Sequence, residues 1–589
     1  MENSLSKKKA LHIAGEIVFP LLLLLLPLLK INQGIDLSDT PYNLGNYRFF
    51  DQTEGVWVLS TFLSNVVGYV FTKLPFGGTM LGMKFYGALV VSAMALFSYR
   101  FFKTKMPSWV AFLGEVAAIG FCWCPVGILY HYLSYFFFLL GVVFLFRGLA
   151  GCRPVCLVIA GACLGLNVAV RVPNVLEVVL IVALWYYGGL KKKSFEEISK
   201  ETLLCVAGFL GAQLLMFIVM SALYGIGAYP EMIGGLFGIA GRASDYTFGE
   251  MLASIFSAYL TGFKWMLYML LCILPGIPFM VIQKEKFPLL RKGIYCVCIA
   301  FLFFVLGKWG MYNLKYYQKE SALQWGVVFL LLSIGVCIWL LVTKAADDEW
   351  KLIGSLSLVV ILITPLGSNN YVWPILNNLF FVAPVTLWTV YRFARWGRTY
   401  LDTTGKVPLF SAKAMVLAMV LAFLVQSVGL LFGYVFRDGE SGEKRSAQVI
   451  SNPVLTGMYT TPENAQALEE LTLFVSGKGA SYEGKELILY GNIPGLSYYL
   501  DRAPAISTSW PDLASSDIEM LRTDLAGITG EISEKGKRPL VIFSATAKEK
   551  AAGAQENGIE DEKLELIRKF MDENNYGQVF ENAAFVVYE

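Results

Sequence analysis

Two aspartates come first among the residues that could do chemistry. The segment "GIDLSDTPYNLGNYRFFD" places Asp36 and Asp39 a few residues beyond the first long apolar run. A carboxylate at a membrane boundary can accept a proton from a hydroxyl, or orient it, which is what transfer of a group to an alcohol or amine requires. Ser38, Asp39 or Thr40 before Pro41 would equally serve as a helix N-cap, so both uses stand. Tyr42, on the same segment, joins the substrate-binding candidates. Arg171 in "GLNVAVRVPN" follows a long apolar run and precedes Pro173. A charge so placed usually marks a site or a partner, and a guanidinium can take a phosphate through two parallel hydrogen bonds. Snorkelling to lipid headgroups is its bland alternative. Lys308, Lys315 and Arg242 are further candidates for the same phosphate.

His131 in "GILYHYLSYFF" stands among Tyr130, Tyr132 and Tyr135, where an interfacial aromatic belt is expected. It is either a hydrogen-bonded structural residue or a substrate-facing acid or base. In "TPLGSNNYVWPILNN", Asn369, Asn370 and Asn377 could read sugar hydroxyls, and Tyr371 and Trp373 offer faces to a pyranose ring. Asn and Pro are also turn residues, so a simple turn competes. The loop "GIAGRASDYTFGEM" at 238 to 251 has the glycines of a lid.

Other chemistries are excluded. The chain has two histidines, His12 and His131, so a histidine-built metal centre is ruled out, while a divalent metal as such stays open. All ten cysteines fall between Cys122 and Cys337, within or beside apolar segments; Cys122/Cys124 and Cys296/Cys298 are C-x-C pairs without nearby histidine, and read as small buried hydrophobes. "GNIPGL" at 491 to 496 is no dinucleotide fingerprint. Basic residues flank apolar spans rather than forming a stripe with stacking aromatics, so nucleic acid is not a partner.

The elements that must position these residues are membrane helices. Of 589 residues 56% are hydrophobic and 16% charged, with mean hydropathy +0.56, which rules out a soluble enzyme. A run of about 20 apolar residues crosses a bilayer. Residues 11 to 30 supply the first, read as a retained span because no small-residue cleavage site follows. Further runs near 80–102, 107–127, 128–148, 154–172, 174–190, 202–224, 253–282, 293–310, 322–343, 352–366, 374–392 and 414–436 bring the total to about 13 spans. Alternate loops with Lys103 and Lys105, Lys191 to Lys193, Lys284 to Lys292, Lys344 to Lys351, and Arg392 to Lys413 are basic, which puts them and the N-terminus in the cytoplasm. The odd count then places the chain from 437 onward outside, with 15 basic against 25 acidic residues, while residues 1–436 carry 33 against 20.

In the first outer loop, Val58, Phe62, Val66 and Val70 repeat every four residues, opposite Ser60, Ser64, Gly68 and Thr72. That pattern predicts a helix lying in the membrane interface, or one packed on its neighbours inside the protein. Residues 437–589 alternate helical and extended patterns. A helix opens with Thr461 as N-cap and Pro462 at its first position, burying Leu468, Leu471 and Val475; "ELILYG", "PLVIFS" and "AAFVVYE" read as strands, with helices near 516–534 and 561–574. A small extracytoplasmic α/β domain follows, beside a mainly α, polytopic membrane domain at 1–436.

The early "DLSDTPY", the amphipathic "EGVWVLSTFLSNVVGYVFTKLPFG", and "YHYLSY", "VRVPN" and "LGSNNYVWP" together resemble the GT-C glycosyltransferases of the protein O-mannosyltransferase and aminoarabinose-transferase type. The likeness covers roughly the first 436 residues, and the tail matches only in position. It implies a polyprenyl-phosphate sugar as donor, a lipid, glycan or protein acceptor, membrane lipid as partner, and a place in the cell membrane. It implies that Asp39, or Asp36, activates the acceptor, that transfer inverts the anomeric carbon, and that Arg171 steadies the leaving phosphate. The sequence departs from many mannosyltransferases in having Asp39 and Thr40 where they carry an Asp-Glu pair, and His131 where several relatives show a carboxylate. A transporter would instead place ionisable groups near mid-bilayer on broken helices, often in two related halves. A non-catalytic receptor or assembly protein is the third class, distinguished by binding without transfer or uptake.

Overall fold

The computed structural model describes residues 9–52, 59–123, 125–242, 248–273, 287–313, 320–368, 370–392, 409–439, 442–513, 516–548 and 559–589. Lys315, Asn369 and the centre of the expected lid, 243–247, lie outside the described residues, and of Arg242 only the backbone is described. Among the described residues, six helices are long and apolar enough to cross a membrane: Lys9–Leu28 (α1), Met80–Phe102, Leu129–Ala150, Val172–Leu190, Phe195–Tyr224 and Glu320–Val342. The other expected spans are shorter apolar helices, such as Ser108–Phe121 and Pro154–Val170, or fall partly outside the described residues. The count of about 13 is therefore not reached by helix length.

Between α1 and the next long helix lie α2 (Asp39–Arg48) and α3 (Phe62–Thr72); Met80–Phe102 is α4, Ser108–Phe121 α5, Leu129–Ala150 α6 and Pro154–Val170 α7. The α4 start is fixed by Thr79, whose hydroxyl accepts the Gly82 N–H at 3.1 Å, the usual satisfaction of a free first-turn donor. Its 23 residues run roughly 35 Å, from one end of the bundle to the other. At the far end, Lys103 pairs with Glu16 at 2.7 Å, Lys105 with Glu349 at 2.8 Å and Lys191 with Asp348 at 2.6 Å. Three loops that the charge pattern assigned to one side thus meet at one end.

The small-residue face of α3 is the one turned inward. Ser64, Gly68 and Thr72 are buried, whereas Val70 is 51% exposed. Phe62 is buried as well, so the apolar stripe is divided between protein and surroundings. Gly68 allows the approach: a Cβ there would stand 2.2 Å from the Tyr47 ring. The helix is thus packed on its neighbour through its small residues, the second of the two alternatives, with Val70 outward.

The C-terminal part caps the opposite end. Its sheet has four strands, β1 (Leu487–Tyr490), β2 (Leu540–Ser544), β3 (Gln578–Glu581) and β4 (Phe585–Tyr588), in the order β1-β2-β4-β3, with β1 and β2 parallel and the other pairs antiparallel. Alternate side chains point to opposite faces. Ile488, Tyr490, Val541 and Phe543 pack on the helices Ile518–Lys535 and Ile559–Glu573. Leu487, Leu489, Leu540 and Ile542 share one cluster with Ile35, Leu44 and Tyr47 of the membrane part. The helix Pro462–Gly477 starts as expected, with Thr461 accepting the Asn464 N–H, and buries Leu468, Leu471 and Val475. "GNIPGL" has a docking role: the Gly495 N–H donates to Leu37 O at 2.9 Å, and a Cβ on Gly495 would stand 2.3 Å from Pro41.

Candidate active site

Where the cap meets the bundle, a cavity of about 120 Å³ opens between the end of α1, α4, the end of α5 and the end of the last apolar helix, Leu409–Gly433. Asp36, Lys30, Lys84, Trp123, Tyr434 and Phe436 are among its lining residues. Asp36 is 3% exposed, and its Oδ2 accepts the Thr40 N–H at 2.9 Å. It is therefore Asp36, not Ser38 or Asp39, that satisfies the first turn of α2. Burial pushes the Asp36 carboxyl up to about 6, against the Thr40 hydrogen bonds and the nearby Lys84 charge, which pull the other way. A base titrating there is deprotonated at neutral pH and still basic enough to draw a proton from a hydroxyl.

Lys84 is buried four residues into α4. Its Nζ donates to Gln33 O at 3.0 Å and Gly34 O at 3.3 Å, so of its three N–H donors one is left over. Lys30 lies at the cavity's edge in left-handed backbone, φ 59°, and burial, followed by the neighbouring Arg445 charge, lowers its pKa. One ammonium group close to the carboxylate, and a second on the same cavity lining, make a place for an anion next to a base. Among the described residues no group of three His, Cys, Asp or Glu is arranged to bind a metal, and the two lysines of the lining would repel a divalent cation.

Asp39 is not in the cavity lining. Its carboxylate accepts from Arg437, which also donates to Ser38 Oγ at 3.3 Å. Arg437, at φ 41°, belongs to the junction after the last apolar helix, so Asp39 ties that junction to α2. Tyr42 meets Trp510 edge-on with centroids 5.4 Å apart, a contact to the cap.

A second cluster gathers Arg171, His131 and Gly367. Arg171 Nη2 donates to Gly367 O at 2.8 Å, and the guanidinium lies 5.9 Å from the Tyr130 ring centre. Tyr130 and His131 rings are 4.2 Å apart. Asn370 Nδ2 donates to Ser368 Oγ at 2.8 Å, while Tyr371 is 51% exposed with φ 51°. Arg171 thus turns to protein rather than to headgroups, and it does not line the cavity. The clusters are linked through Trp123, whose ring is 4.9 Å from Trp373 and 5.5 Å from Tyr434. Lys308 is exposed, with its ammonium 5.4 Å from the Phe304 ring, and it does not line the cavity.

Sequence reasoning missed Lys84, Lys30, Trp123 and Arg437. For Lys84 the signal was present: a lone charge inside an apolar span follows the rule that picked out Arg171. Lys30 and Arg437 carried none, being ordinary basic residues at span ends. The buried Glu177 was missed too; Asn167 Nδ2 donates to it at 2.7 Å and to Ser134 O at 3.0 Å.

No family model matches the chain, and no curated protein matches it. Among solved structures it is similar to an oligosaccharyltransferase of Archaeoglobus fulgidus in complex with zinc and sulfate, at 12% identity and TM-score 0.45, over 89% of this chain and 68% of that one. It is similar to ArnT of Cupriavidus metallidurans bound to undecaprenyl phosphate, at 12% identity and TM-score 0.44, over 98% of both chains. A third is the Archaeoglobus fulgidus oligosaccharyltransferase AglB in complex with an inhibitory peptide and a dolichol-phosphate, at 13% identity and TM-score 0.44, over 92% and 70%. At such identity and scores neither a superfamily nor a residue role is taken from these likenesses.

Proposed function

We propose that this chain is a membrane glycosyltransferase that moves a sugar from a polyprenyl-phosphate carrier to an acceptor hydroxyl or amine, with inversion at the anomeric carbon. The observation that carries the reading is the cavity whose lining holds buried Asp36, with Lys84 near it, and Lys30. In the reaction, Asp36 takes the acceptor proton as the acceptor oxygen or nitrogen bonds to the anomeric carbon. The bond from that carbon to the phosphate oxygen breaks, and the phosphate leaves with the electron pair, met by the spare N–H of Lys84 and by Lys30. Trp123, Tyr434 and Phe436 offer ring faces to the sugar. Asp39 and Arg437 hold the wall that contains Asp36, and Arg171 holds Gly367. The basic end of the bundle faces the cytoplasm of a cell-membrane protein, so the cap and the cavity face outward.

Membranes containing the protein, given radiolabelled polyprenyl-phosphate hexoses and pentoses, test the reading. Label moving into the lipid, glycan or protein fraction is the expected result. Label taken into vesicles without transfer would make the protein a transporter, and binding without either would make it non-catalytic.

A further inference from the structure

The other end of α2 borders a second, larger cleft against the cap. Arg48, Asp51 and Lys73 form one wall, and Lys485, Glu486 and Arg502 the other. Its volume is about 610 Å³, within the roughly 300 to 1,000 Å³ of small-molecule sites. Arg48 grips Asp501 through two parallel hydrogen bonds, Nε to Oδ1 at 2.8 Å and Nη2 to Oδ2 at 2.7 Å. Asp501 sits at φ 53°, a backbone region that a non-glycine residue rarely adopts, so the fork presets the rim. Lys485 pairs with Glu589.

What remains to meet a ligand is balanced. Lys73 and Arg502 form no ion pair among the described residues and supply donors; Asp51 and Glu486 supply acceptors. A strong anion would be repelled by the two carboxylates, and a cation by the two basic groups. An acyl chain would find few apolar walls. Hydroxyl groups, each able to donate and accept, suit the mixture.

We propose that this cleft binds a neutral, polyhydroxylated ligand, a stretch of glycan, remote from the reacting centre. Nine residues of α2 at about 1.5 Å each set Arg48 roughly 14 Å from Asp39, so a glycan seated there could extend along α2 toward the cavity. Its service as the acceptor's subsite rests on the transferase reading, whereas glycan binding itself does not.

The test uses the purified full chain in detergent on an array of neutral oligosaccharides, with inorganic phosphate and glycerophosphocholine as competitors. Retention of a neutral oligosaccharide is expected, weakened about tenfold by Lys73→Gln and by Glu486→Gln, as loss of a hydrogen bond to a charged group implies. Both variants should keep the parent melting temperature. The Asp36→Asn variant should bind as the parent does, which separates the cleft from failure of the proposed reaction. No retention, retention indifferent to both cleft substitutions, or displacement by phosphate or glycerophosphocholine would overturn the proposal, the last pointing to a headgroup or anion site instead.

Discussion

An aspartate that accepts a backbone N–H from inside a cavity and one that faces a guanidinium at the surface respond differently to losing their charge. Asn caps a helix about as well as Asp, so Asp36→Asn should keep the start of α2 while lowering transfer by about 10²- to 10⁴-fold, the usual weight of a general base. Asp39→Asn loosens a pair in which Arg437 is 57% exposed, and pairs of that kind contribute roughly 0 to 1 kcal/mol, so its turnover should change little. Reversed outcomes would move the base three residues on, to Asp39. The pH profile adds a second check. With Asp36 pushed up to about 6, kcat/KM should rise with pH through that value, and Asp36→Asn should flatten the rise. Stability moves the other way: a carboxyl raised on folding favours the folded state most fully below its unfolded value near 4 and loses that contribution as pH rises through 6. Lys84→Met should weaken polyprenyl-phosphate binding by about tenfold or more, measured in detergent, since a charge-assisted hydrogen bond is lost. Arg171→Ala should leave that affinity close to the parent's and instead speed proteolysis next to Gly367, whose carbonyl it releases.

The two aspartates at the start of α2 are placed only as accurately as α2 and α3 pack on each other. The Tyr47 ring lies against Gly68, and its hydroxyl accepts the Leu129 N–H at 2.9 Å, so one side chain joins α2, α3 and the start of α6. Gly68→Ala should force that ring aside and cost about 1 to 3 kcal/mol, read as a lower melting temperature, with Val66→Ala as a milder control. The elements legible in the sequence were those with a physical signature of their own: Thr461 and Pro462 opening a helix, and the apolar runs in "ELILYG", "PLVIFS" and "AAFVVYE". β3 was missed because Gln578–Glu581 is an edge strand with an exposed, polar pattern. The site was half legible. Asp36 and Asp39 stood out by place, and Arg171 by its cost, but which carboxylate enters a cavity depends on α4 and the final helix, hundreds of residues apart. Periodicity within one segment says nothing about such a meeting.

At the scale of the whole chain, the boundary read at 436/437 separates two sequence patterns but not two cores. One cluster runs from Ile35, Leu44 and Tyr47 through Met80 and Leu129 to Leu487, Ile542 and Val587. The sheet therefore buries one face on its own helices and the other partly on the membrane part. A polypeptide of residues 437–589 made alone should bind a hydrophobic dye and melt well below the intact protein, because a strand face that large is left uncovered. Gly495→Val probes the same joint without cutting the chain: its side chain would meet Pro41 and Leu37 O, displacing the segment that carries Asp36. The expected result is loss of transfer together with faster protease release of the cap, while the basic end stays intact because its ion pairs lie at the opposite end of α4. An isolated cap that is monomeric, dye-free and as heat-resistant as the parent would mean that the shared cluster is a contact between independent domains, and Gly495→Val should then weaken activity without altering the melting temperature.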